Sequence, residues 1–257
     1  MYVGYEVREG TAWIRIERPE KLNALDLSGW HAITAHLARA ADEAPGPVVL
    51  TGTGRAFCAG DDINTFHQHA TPEQGMDFFI GGLYATIEAI VTHPYPVIAA
   101  VNGIAFGGGC ELVLVSDLAI AADDATFSLP EGRIGAWPTV AVGVAAHVSG
   151  RKLAGELSYE MPVLDAAEAR RFGLVNRVVP PDGLEDEVRA TVARIGAASP
   201  HAIRQTKRFL TEELVTTGLP KVRRALTALV EETLPTHDLQ EGTAAFLEKR
   251  TPVFDGK

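Results

Sequence analysis

Short apolar runs alternate with helical patterns along the first two-thirds of the chain. Four runs have the length and composition of buried strands: Ala12–Ile16, Val48–Thr51, Val97–Val101 and Leu118–Ala122. Three stretches between them have helical periodicity: one capped by Asp26 or Ser28 and running towards Asp42, one over Pro72–Thr92, and one from about Gly108 to Ser116. This alternation predicts an α/β fold whose strands are mainly parallel and covered on both faces.

The pattern changes after about Ala166, where helical periodicity becomes dominant. One short β run lies at Val175–Val179, and the predicted helices cover Ala166–Arg171, Leu184–Ala198, Pro200–Thr217, Pro220–Thr236 and Leu239–Leu247. The turn Pro180–Gly183 separates the β run from the helices that follow it. We therefore predict an α/β core over residues 1–198 and an α-helical C-terminal domain over residues 199–257.

The composition is typical of a soluble globular protein, with 257 residues, 46% hydrophobic and 22% charged. A formal net charge of −10 disfavours nucleic acid and anionic membranes as partners, because both require a basic surface. Polar residues interrupt the most apolar stretch, Val97–Ala122, so it is not predicted to cross a membrane. The N-terminus has no signal-peptide pattern, and Cys58 and Cys110 are predicted to be buried thiols. Together these features predict a cytoplasmic protein.

Two glycine-rich loops follow predicted strands. Gly107-Gly108-Gly109 precedes a predicted helix, and glycine there lets the backbone and the first helical amides approach an anionic ligand. Its spacing differs from that of nucleotide-binding loops, and no Lys-Ser/Thr pair follows. The second loop, Gly52–Ile63, follows the strand Val48–Thr51. Each loop alone is equally compatible with a turn that binds no ligand.

Five segments, in order along the chain, together resemble one family. They are Arg18-Pro19-Glu20-Lys21-Leu22-Asn23-Ala24-Leu25, Ala56-Phe57-Cys58-Ala59-Gly60-Asp61-Asp62-Ile63, Asn102-Gly103 to Gly109-Cys110-Glu111-Leu112, Ala166–Ala169 with Gly173–Val179, and Phe246–Phe254. The chain resembles the enoyl-CoA hydratase/isomerase (crotonase) family over nearly its whole length. The resemblance implies a spiral of ββα units with an α-helical C-terminal trimerisation domain, assembled as a homotrimer or a dimer of trimers. It also implies acyl-CoA thioester substrates, no metal and no separate cofactor, since coenzyme A is part of the substrate.

The resemblance assigns oxyanion-hole amides to Asp61 and Gly108, and paired catalytic carboxylates to Glu111 and Glu131. Two fixed N–H groups stabilise the enolate that forms when a proton is added or removed beside a thioester carbonyl. The glutamates would hold one water between them. One takes its proton as hydroxyl adds to Cβ, and the other supplies a proton to Cα. Each glutamate alone is typical of a helix start or a turn, but both at the family's positions favour a 2-enoyl-CoA hydratase.

Further positions match the family's contacts with substrate and coenzyme A. Ala59 and Ile63 are expected beside the thioester, and Leu22 with Ala24 along the coenzyme A. The other matched positions are Lys21, Asp62, Gly107, Pro130, Gly135 and Lys249. The candidate cations for the phosphates of coenzyme A are Arg18, Lys21, Lys249 and Arg250.

Three departures from the family pattern leave the chemistry open. Asp61 stands where a small residue is common, Pro138–Gly143 replaces a glycine-rich stretch, and Glu160-Met161 replaces a common Thr-Gly. The last two lie where acyl-tail pockets are usually lined, so a non-standard acyl group or altered chemistry is expected. The alternatives to a hydratase are an isomerase, a decarboxylase or another enzyme using the same enolate, and a non-catalytic acyl-CoA-binding relative.

Other residues with chemical potential are predicted to have structural roles. His67 and His69 are expected to be exposed, because no cysteine or carboxylate stands at metal-ligand spacing from them. His93 is predicted to end a helix. Trp30 and Trp137 are expected to form core or pocket walls.

Overall fold

The computed structural model describes residues 2–66 and 71–257, which form two β-sheets with helices packed around them. The strands are β1 (Val3–Arg8), β2 (Thr11–Ile16), β3 (Val48–Gly52), β4 (Ala56–Cys58), β5 (Val97–Val101), β6 (Ile104–Phe106), β7 (Leu118–Ala122), β8 (Thr126–Ser128), β9 (Leu164–Asp165) and β10 (Arg177–Val179). A six-stranded sheet has the order β1-β2-β3-β5-β7-β10, and a four-stranded sheet has the order β4-β6-β8-β9. In the larger sheet only the β1–β2 pair is antiparallel, which confirms the prediction of mainly parallel strands.

The helices fall largely where periodicity predicted them. They are α1 (Leu27–Glu43), α2 (Ile63–Phe66), α3 (Pro72–Met76), α4 (Ala85–Thr92), α5 (Gly108–Val115), α6 (Ala141–Tyr159), α7 (Ala166–Arg171), α8 (Leu184–Gly196), α9 (Pro200–Leu210), α10 (Leu219–Ala228) and α11 (His237–Glu248). Short 3-10 helices cover Pro19–Lys21, Glu131–Ile134 and Pro181–Gly183, and π-helical segments cover Asp77–Tyr84, Leu214–Gly218 and Leu229–Thr233. Asp26 caps α1 by accepting a hydrogen bond from the Gly29 amide. His67 and His69 lie outside the described residues.

Successive parts of the chain repeat one ββα arrangement. Each of β3, β5 and β7 in the larger sheet is followed directly by a short strand of the smaller sheet, β4, β6 or β8, and then by helical structure. The repeat gives the spiral of ββα units that the family resemblance implies, and the helices α8 to α11 follow it. The expected fold is therefore confirmed.

The central strands of the larger sheet, β3, β5 and β7, are almost entirely apolar because both of their faces are covered. One face packs in the main core with α1, α4 and α5 and with the smaller sheet, around residues such as Leu50, Ala99 and Phe127. The opposite face presents Val49 and Ile98 to α8 in a second, smaller core. Burial on both faces explains why continuous apolar runs, rather than alternating ones, marked these strands in the sequence.

A buried ion pair ties α9, in the predicted C-terminal domain, to the α/β core. The Lys207 ammonium donates to the Asp117 carboxylate at 2.7 Å and to the carbonyl oxygens of Ile90 at 2.9 Å and Tyr95 at 3.0 Å. Burial lowers the pKa of Lys207, and the Asp117 charge opposes that shift. The domain boundary between residues 198 and 199 stays a prediction, and this ion pair shows that contacts cross it.

The helical run Pro72–Thr92 is the one helix among the described residues that is long and apolar enough to cross a membrane. Within its most apolar window, 56% of the residues are buried inside the protein. Ile87 and Ile90 are fully buried in the main core, as is typical of a core helix. The expectation that the protein has no membrane partner stays a prediction.

Candidate active site

Three loops meet at one end of the smaller sheet. Its strands β4, β6 and β8 lie side by side and parallel, so the loops that follow them leave the same edge. The loop after β4 contains Asp61, the loop after β6 leads into Glu111 on α5, and the loop after β8 reaches Glu131. The sheet thereby gathers residues that are up to 70 positions apart in the sequence (131 − 61).

The first two loops approach each other so closely that glycine is required. Gly60 has a φ of +92°, and a Cβ added there would lie 3.0 Å from the Gly108 nitrogen and 3.0 Å from the Phe106 carbonyl oxygen. A Cβ added to Gly109 would collide with the carbonyl oxygen of Cys58. These glycines therefore allow the two backbones to come close together, in addition to forming turns.

Two backbone amides at this approach point away from their own secondary structure. Leu25 forms a parallel bridge with Asp61, in which the Gly60 carbonyl and the Asp62 amide bond to Leu25. The intervening Asp61 amide consequently faces the opposite side. Gly108 is the first residue of α5, where an amide has no acceptor within its own helix. Each of these two amides therefore faces away from the backbone acceptors of its own element.

Glu111 is a buried carboxyl in the first turns of α5. Only 3% of its surface is exposed. Its Oε1 accepts hydrogen bonds from the Val140 amide at 2.9 Å and the Ala141 amide at 3.0 Å, just before and at the start of α6. Burial raises the pKa of Glu111 to about 7, the two amides act in the opposite direction, and the Asp61 charge raises it further.

Glu131 begins the 3-10 helix after β8, and its side chain lies next to Gly107. Its Oε1 is 3.5 Å from the position of a Cβ built on Gly107, and its Oε2 is buried with no hydrogen-bond partner among the described residues. Burial raises the pKa of Glu131 well above the usual range, and the nearby Glu111 charge raises it further. A buried, unpartnered carboxyl oxygen next to a second carboxyl is suited to hold a proton or to bind a water.

Asp61 supplies a third carboxyl to the same place. Its Oδ1 accepts a hydrogen bond of 2.9 Å from Nε1 of Trp30, which is fully buried on α1. Burial raises the pKa of Asp61 to about 7, although the indole hydrogen bond favours the charged form. Trp30 confirms its expected structural role and, in addition, fixes a side chain of the site.

A cavity of about 540 Å³ joins these groups. Nine of the predicted site residues line it: Leu22, Ala59, Asp61, Ile63, Gly107, Gly108, Glu111, Pro130 and Glu131. Most of the remaining wall is apolar and comes from residues that the sequence did not mark as substrate contacts: Phe79, Leu83, Phe106, Ile134, Ala136, Leu229 and Phe246. A larger groove of about 790 Å³ runs along α6 and contains none of the predicted site residues.

Five predicted contact residues lie outside the cavity wall: Lys21, Ala24, Asp62, Gly135 and Lys249. Lys21 and Arg18 both pair with the buried Asp62, at 2.8 Å and 3.0 Å. Burial favours the neutral acid, but hydrogen bonds from Lys21 and Asn64 hold the pKa of Asp62 below its usual value. The cations predicted to meet coenzyme A phosphates at this loop are thus already paired with a carboxylate.

The other three outlying residues have structural contacts. The Ala24 carbonyl accepts a hydrogen bond from Arg18 at 3.2 Å. Gly135 has a φ of +77°, and a Cβ there would lie 2.5 Å from the Asp238 carbonyl oxygen, so glycine permits the contact with α11. Lys249 adopts a left-handed conformation that ends α11, and it is exposed.

Of the two segments that depart from the family pattern after Glu131, one lines the cavity and the other does not. Thr139, within Pro138–Gly143, lines it, and the adjacent Trp137 also lines it while donating to the Thr233 hydroxyl at 3.1 Å. Met161 does not line the cavity. Its carbonyl oxygen accepts a hydrogen bond of 2.9 Å from Arg133, which stands on the wall. The glutamate-methionine segment therefore touches the cavity wall through this backbone carbonyl.

The remaining candidate residues take structural positions. His93 ends α4, is buried, and has its Nδ1 2.9 Å from the Tyr95 carbonyl oxygen. Cys58 and Cys110 are buried free thiols, as predicted, and burial raises the pKa of Cys58 to about 12. A thiol with so high a pKa is a poor nucleophile.

Comparison with known proteins is consistent with the geometry. A family model described as enoyl-CoA hydratase/isomerase matches residues 6–257. A probable enoyl-CoA hydratase of Mycobacterium tuberculosis is 37% identical over 248 residues, covering 94% of this chain and 93% of its own. A crotonyl-CoA hydratase of Syntrophomonas wolfei is 35% identical over 260 residues, covering 98% and 97%. The crystal structure of an enoyl-CoA hydratase/isomerase from Xanthobacter autotrophicus Py2 superimposes with a TM-score of 0.88 at 31% identity, covering 96% of this chain and 93% of that one. The chain therefore belongs to the enoyl-CoA hydratase/isomerase family.

Proposed function

We propose that this protein is an enoyl-CoA hydratase that adds water across the double bond of a 2-enoyl-CoA thioester, using Glu111 and Glu131 as base and acid. The observation that supports this most strongly is the shared cavity, which is lined by Glu111 and Glu131 together with Asp61 and Gly108, the residues that carry the two proposed oxyanion-hole amides. The names of the relatives, which include a crotonyl-CoA hydratase, support the same reaction.

The amides of Asp61 and Gly108 form the oxyanion hole. Water addition at Cβ places negative charge on the thioester carbonyl oxygen, and two rigid donors stabilise that charge without reorganising during the reaction. Loss of one such donor typically raises the barrier by about 3 kcal/mol. The rigidity comes from the bridge to Leu25 and from the start of α5.

The two glutamates differ in a way that assigns their roles. Glu111 accepts two backbone hydrogen bonds, which favour its carboxylate form and suit it to take a proton from the attacking water. Glu131 has a buried oxygen without a protein partner, and its pKa lies well above the usual range, so it enters the reaction protonated and supplies the proton to Cα. Two carboxyl groups in one cavity whose pKa values are pushed apart are suited to act as one base and one acid.

The acyl chain lies in the apolar part of the cavity, and coenzyme A leaves it past Leu22 and Ala59. Phe79, Leu83 and Leu229 provide a dry wall suited to an aliphatic or aromatic acyl group. Ile63 lies beside the thioester, and Lys21 and Lys249 stay the proposed contacts for the coenzyme A phosphates. The proposal requires neither metal nor separate cofactor.

We also propose that the protein is cytoplasmic and assembles as a homotrimer or a dimer of trimers. Large apolar side chains on and after the C-terminal helices are exposed in the single chain, among them Phe209 at 60%, Leu210 at 77% and Val253 at 74%. Exposed apolar groups of this size are typical of surfaces that a second subunit covers. Sedimentation analysis tests the assembly directly, and a monomer at micromolar concentration contradicts it.

The activity is tested with purified protein and crotonyl-CoA, by following loss of the conjugated enoyl absorbance and formation of the 3-hydroxyacyl product. Replacement of Glu111 or Glu131 by glutamine is expected to lower kcat by about 10²-fold or more. Arg177→Gln, on the distant strand β10, serves as a control with unchanged turnover. A shifted double bond without added water identifies an isomerase, and coenzyme A binding without turnover on any acyl-CoA contradicts the enzyme assignment.

A further inference from the structure

Three carboxyl groups face the catalytic cavity, although hydration needs only two. They come from three different elements: Asp61 from the loop after β4, Glu111 from α5, and Glu131 from the 3-10 helix after β8. We propose that Asp61 is a positioning residue whose charge limits ionisation of Glu111 and Glu131 and thereby determines that one of them enters the reaction protonated. This inference rests on the proposed hydratase function.

The position of the Asp61 carboxyl is fixed from two sides. Its backbone is held by the bridge to Leu25, and its Oδ1 accepts the hydrogen bond of Trp30 at 2.9 Å. The Trp30 indole cannot turn away, because it is fully buried and also packs against Gly108, where an added Cβ would lie 3.3 Å from the ring. The same indole therefore supports the oxyanion loop and holds the extra carboxyl next to it.

The charges around Asp61 leave its effect uncompensated. Of the described residues that line the cavity, Arg133 alone is basic, and it is exposed and donates to the Met161 carbonyl. Lys21 and Arg18, from the segment after β2, pair with Asp62, the neighbour of Asp61. Within residues 2–66 and 71–257, the buried thiols of Cys58, in β4, and Cys110, on α5, also interact with these carboxyls. In the part of the chain that the structure describes, three acids thus share an apolar cavity with Arg133 as the cation at its wall.

Like charges in such a cavity oppose one another's ionisation. Each carboxylate that forms makes the next one harder to form, so the three groups titrate in separate steps. The indole donor of Asp61 and the two amide donors of Glu111 favour the charged forms of those groups, whereas Oε2 of Glu131 has no donor among the described residues, so the last proton is left to Glu131. A small side chain at position 61 removes this constraint, and the glutamates then ionise at lower pH.

The direct test measures glutamate titration in the substrate-free protein. Carbon-13 NMR of protein labelled at its Asp and Glu carboxyls follows Glu111 and Glu131 from acid to alkaline pH. In Asp61→Asn, which retains an oxygen acceptor for Trp30, both midpoints are expected to move to lower pH, by about one unit or more in total. Asp61→Ala should do the same, and the exposed Asp124→Asn should leave both midpoints in place. Unchanged midpoints in folded Asp61→Asn and Asp61→Ala overturn the inference.

A kinetic readout follows from the same shift. The acid limb of the kcat/KM profile reports the base and the alkaline limb reports the acid, so both limbs should move to lower pH in Asp61→Asn. A uniform loss of activity with unmoved limbs indicates a structural role and overturns the inference. If the wild-type protein does not hydrate crotonyl-CoA, the proposed function fails, while the NMR titration still decides the role of Asp61.

Discussion

Replacing Gly60 with alanine perturbs the approach of the two loops without touching a catalytic side chain. Gly60 has a φ of +92°, and the new Cβ would lie 3.0 Å from both the Gly108 nitrogen and the Phe106 carbonyl oxygen. An alanine in this backbone region costs about 1–2 kcal/mol. The contact is with backbone atoms, which cannot rotate aside, so the loops must separate and one amide leaves the oxyanion hole.

The loss of one amide from the oxyanion hole should lower turnover by a predictable factor. Loss of one oxyanion donor raises the barrier by about 3 kcal/mol, which corresponds to a fall in kcat of about 10²-fold. Gly10→Ala is the matched control, because Gly10 in the β1–β2 turn also has a positive φ, +79°, but no atom within 4 Å of an added Cβ. Gly10→Ala should lose about 1–2 kcal/mol of unfolding free energy, measured by urea denaturation. Gly60→Ala should lose at least as much because of its added backbone contact, and only Gly60→Ala should lose turnover. If Gly60→Ala retains kcat within about twofold, the reasoning about the loop contact is refuted.

Three further predictions concern stability and substrate binding. Lys207→Met removes the cation from the partly buried Asp117 and the donor from the carbonyls of Ile90 and Tyr95, and urea denaturation should show a loss of about 3 kcal/mol; a loss under about 1 kcal/mol contradicts this. Folding raises the pKa of Glu111 from 4.5 to about 7, so the folded state binds a proton that the unfolded state has lost, and the free energy of unfolding falls as pH rises through that interval. In Glu111→Gln the free energy of unfolding should fall less over the same interval, and parallel pH–stability curves for the two proteins contradict this. Trp137→Phe removes the bond to Thr233 in the cavity wall and should raise KM several-fold with kcat nearly unchanged, whereas a fall in kcat alone contradicts a wall role.

The elements that could be predicted from the sequence are those with a strong local pattern. The apolar runs Val48–Thr51, Val97–Val101 and Leu118–Ala122 agree with the observed strands to within one residue at each end, because burial on both faces excludes polar residues from them. The short strands β4, β6 and β8 were not predicted. Each has three residues, too few to show any period, yet they are the strands that gather the active site.

Helix α6, over Ala141–Tyr159, was also absent from the prediction. Its sequence contains three glycines, and at Gly150 the φ of 78° interrupts the helical backbone. Glycine and small residues give little amphipathic contrast, so packing against α10, including Val222 close to Gly143, stabilises this helix more than its own sequence does. The predicted helical run Pro72–Thr92 likewise contains the π-helical segment Asp77–Tyr84, which helical periodicity did not indicate.

The site residues that lie in family motifs could be predicted, whereas the contacts between residues far apart in the sequence could not. Glu111 and Glu131 lie together in the cavity as their motifs implied. The bond between Trp30 and Asp61 joins residues 31 positions apart, and no spacing rule relates an indole on one helix to a carboxyl in a later loop. The paired state of Lys21 was also hidden, because the sequence does not show that Asp62 folds back on it.

The central claim is that Glu111 and Glu131 act as one unit on one water. A double-mutant cycle on the hydration of crotonyl-CoA tests it most directly, with kcat/KM measured for Glu111→Gln, Glu131→Gln and the double variant. Groups that act together in one step have strongly non-additive effects. We predict that each single variant loses about 10²-fold or more, and that the double variant loses little beyond the worse single one. Wild-type activity in the double variant, or two losses that simply multiply, would contradict the account.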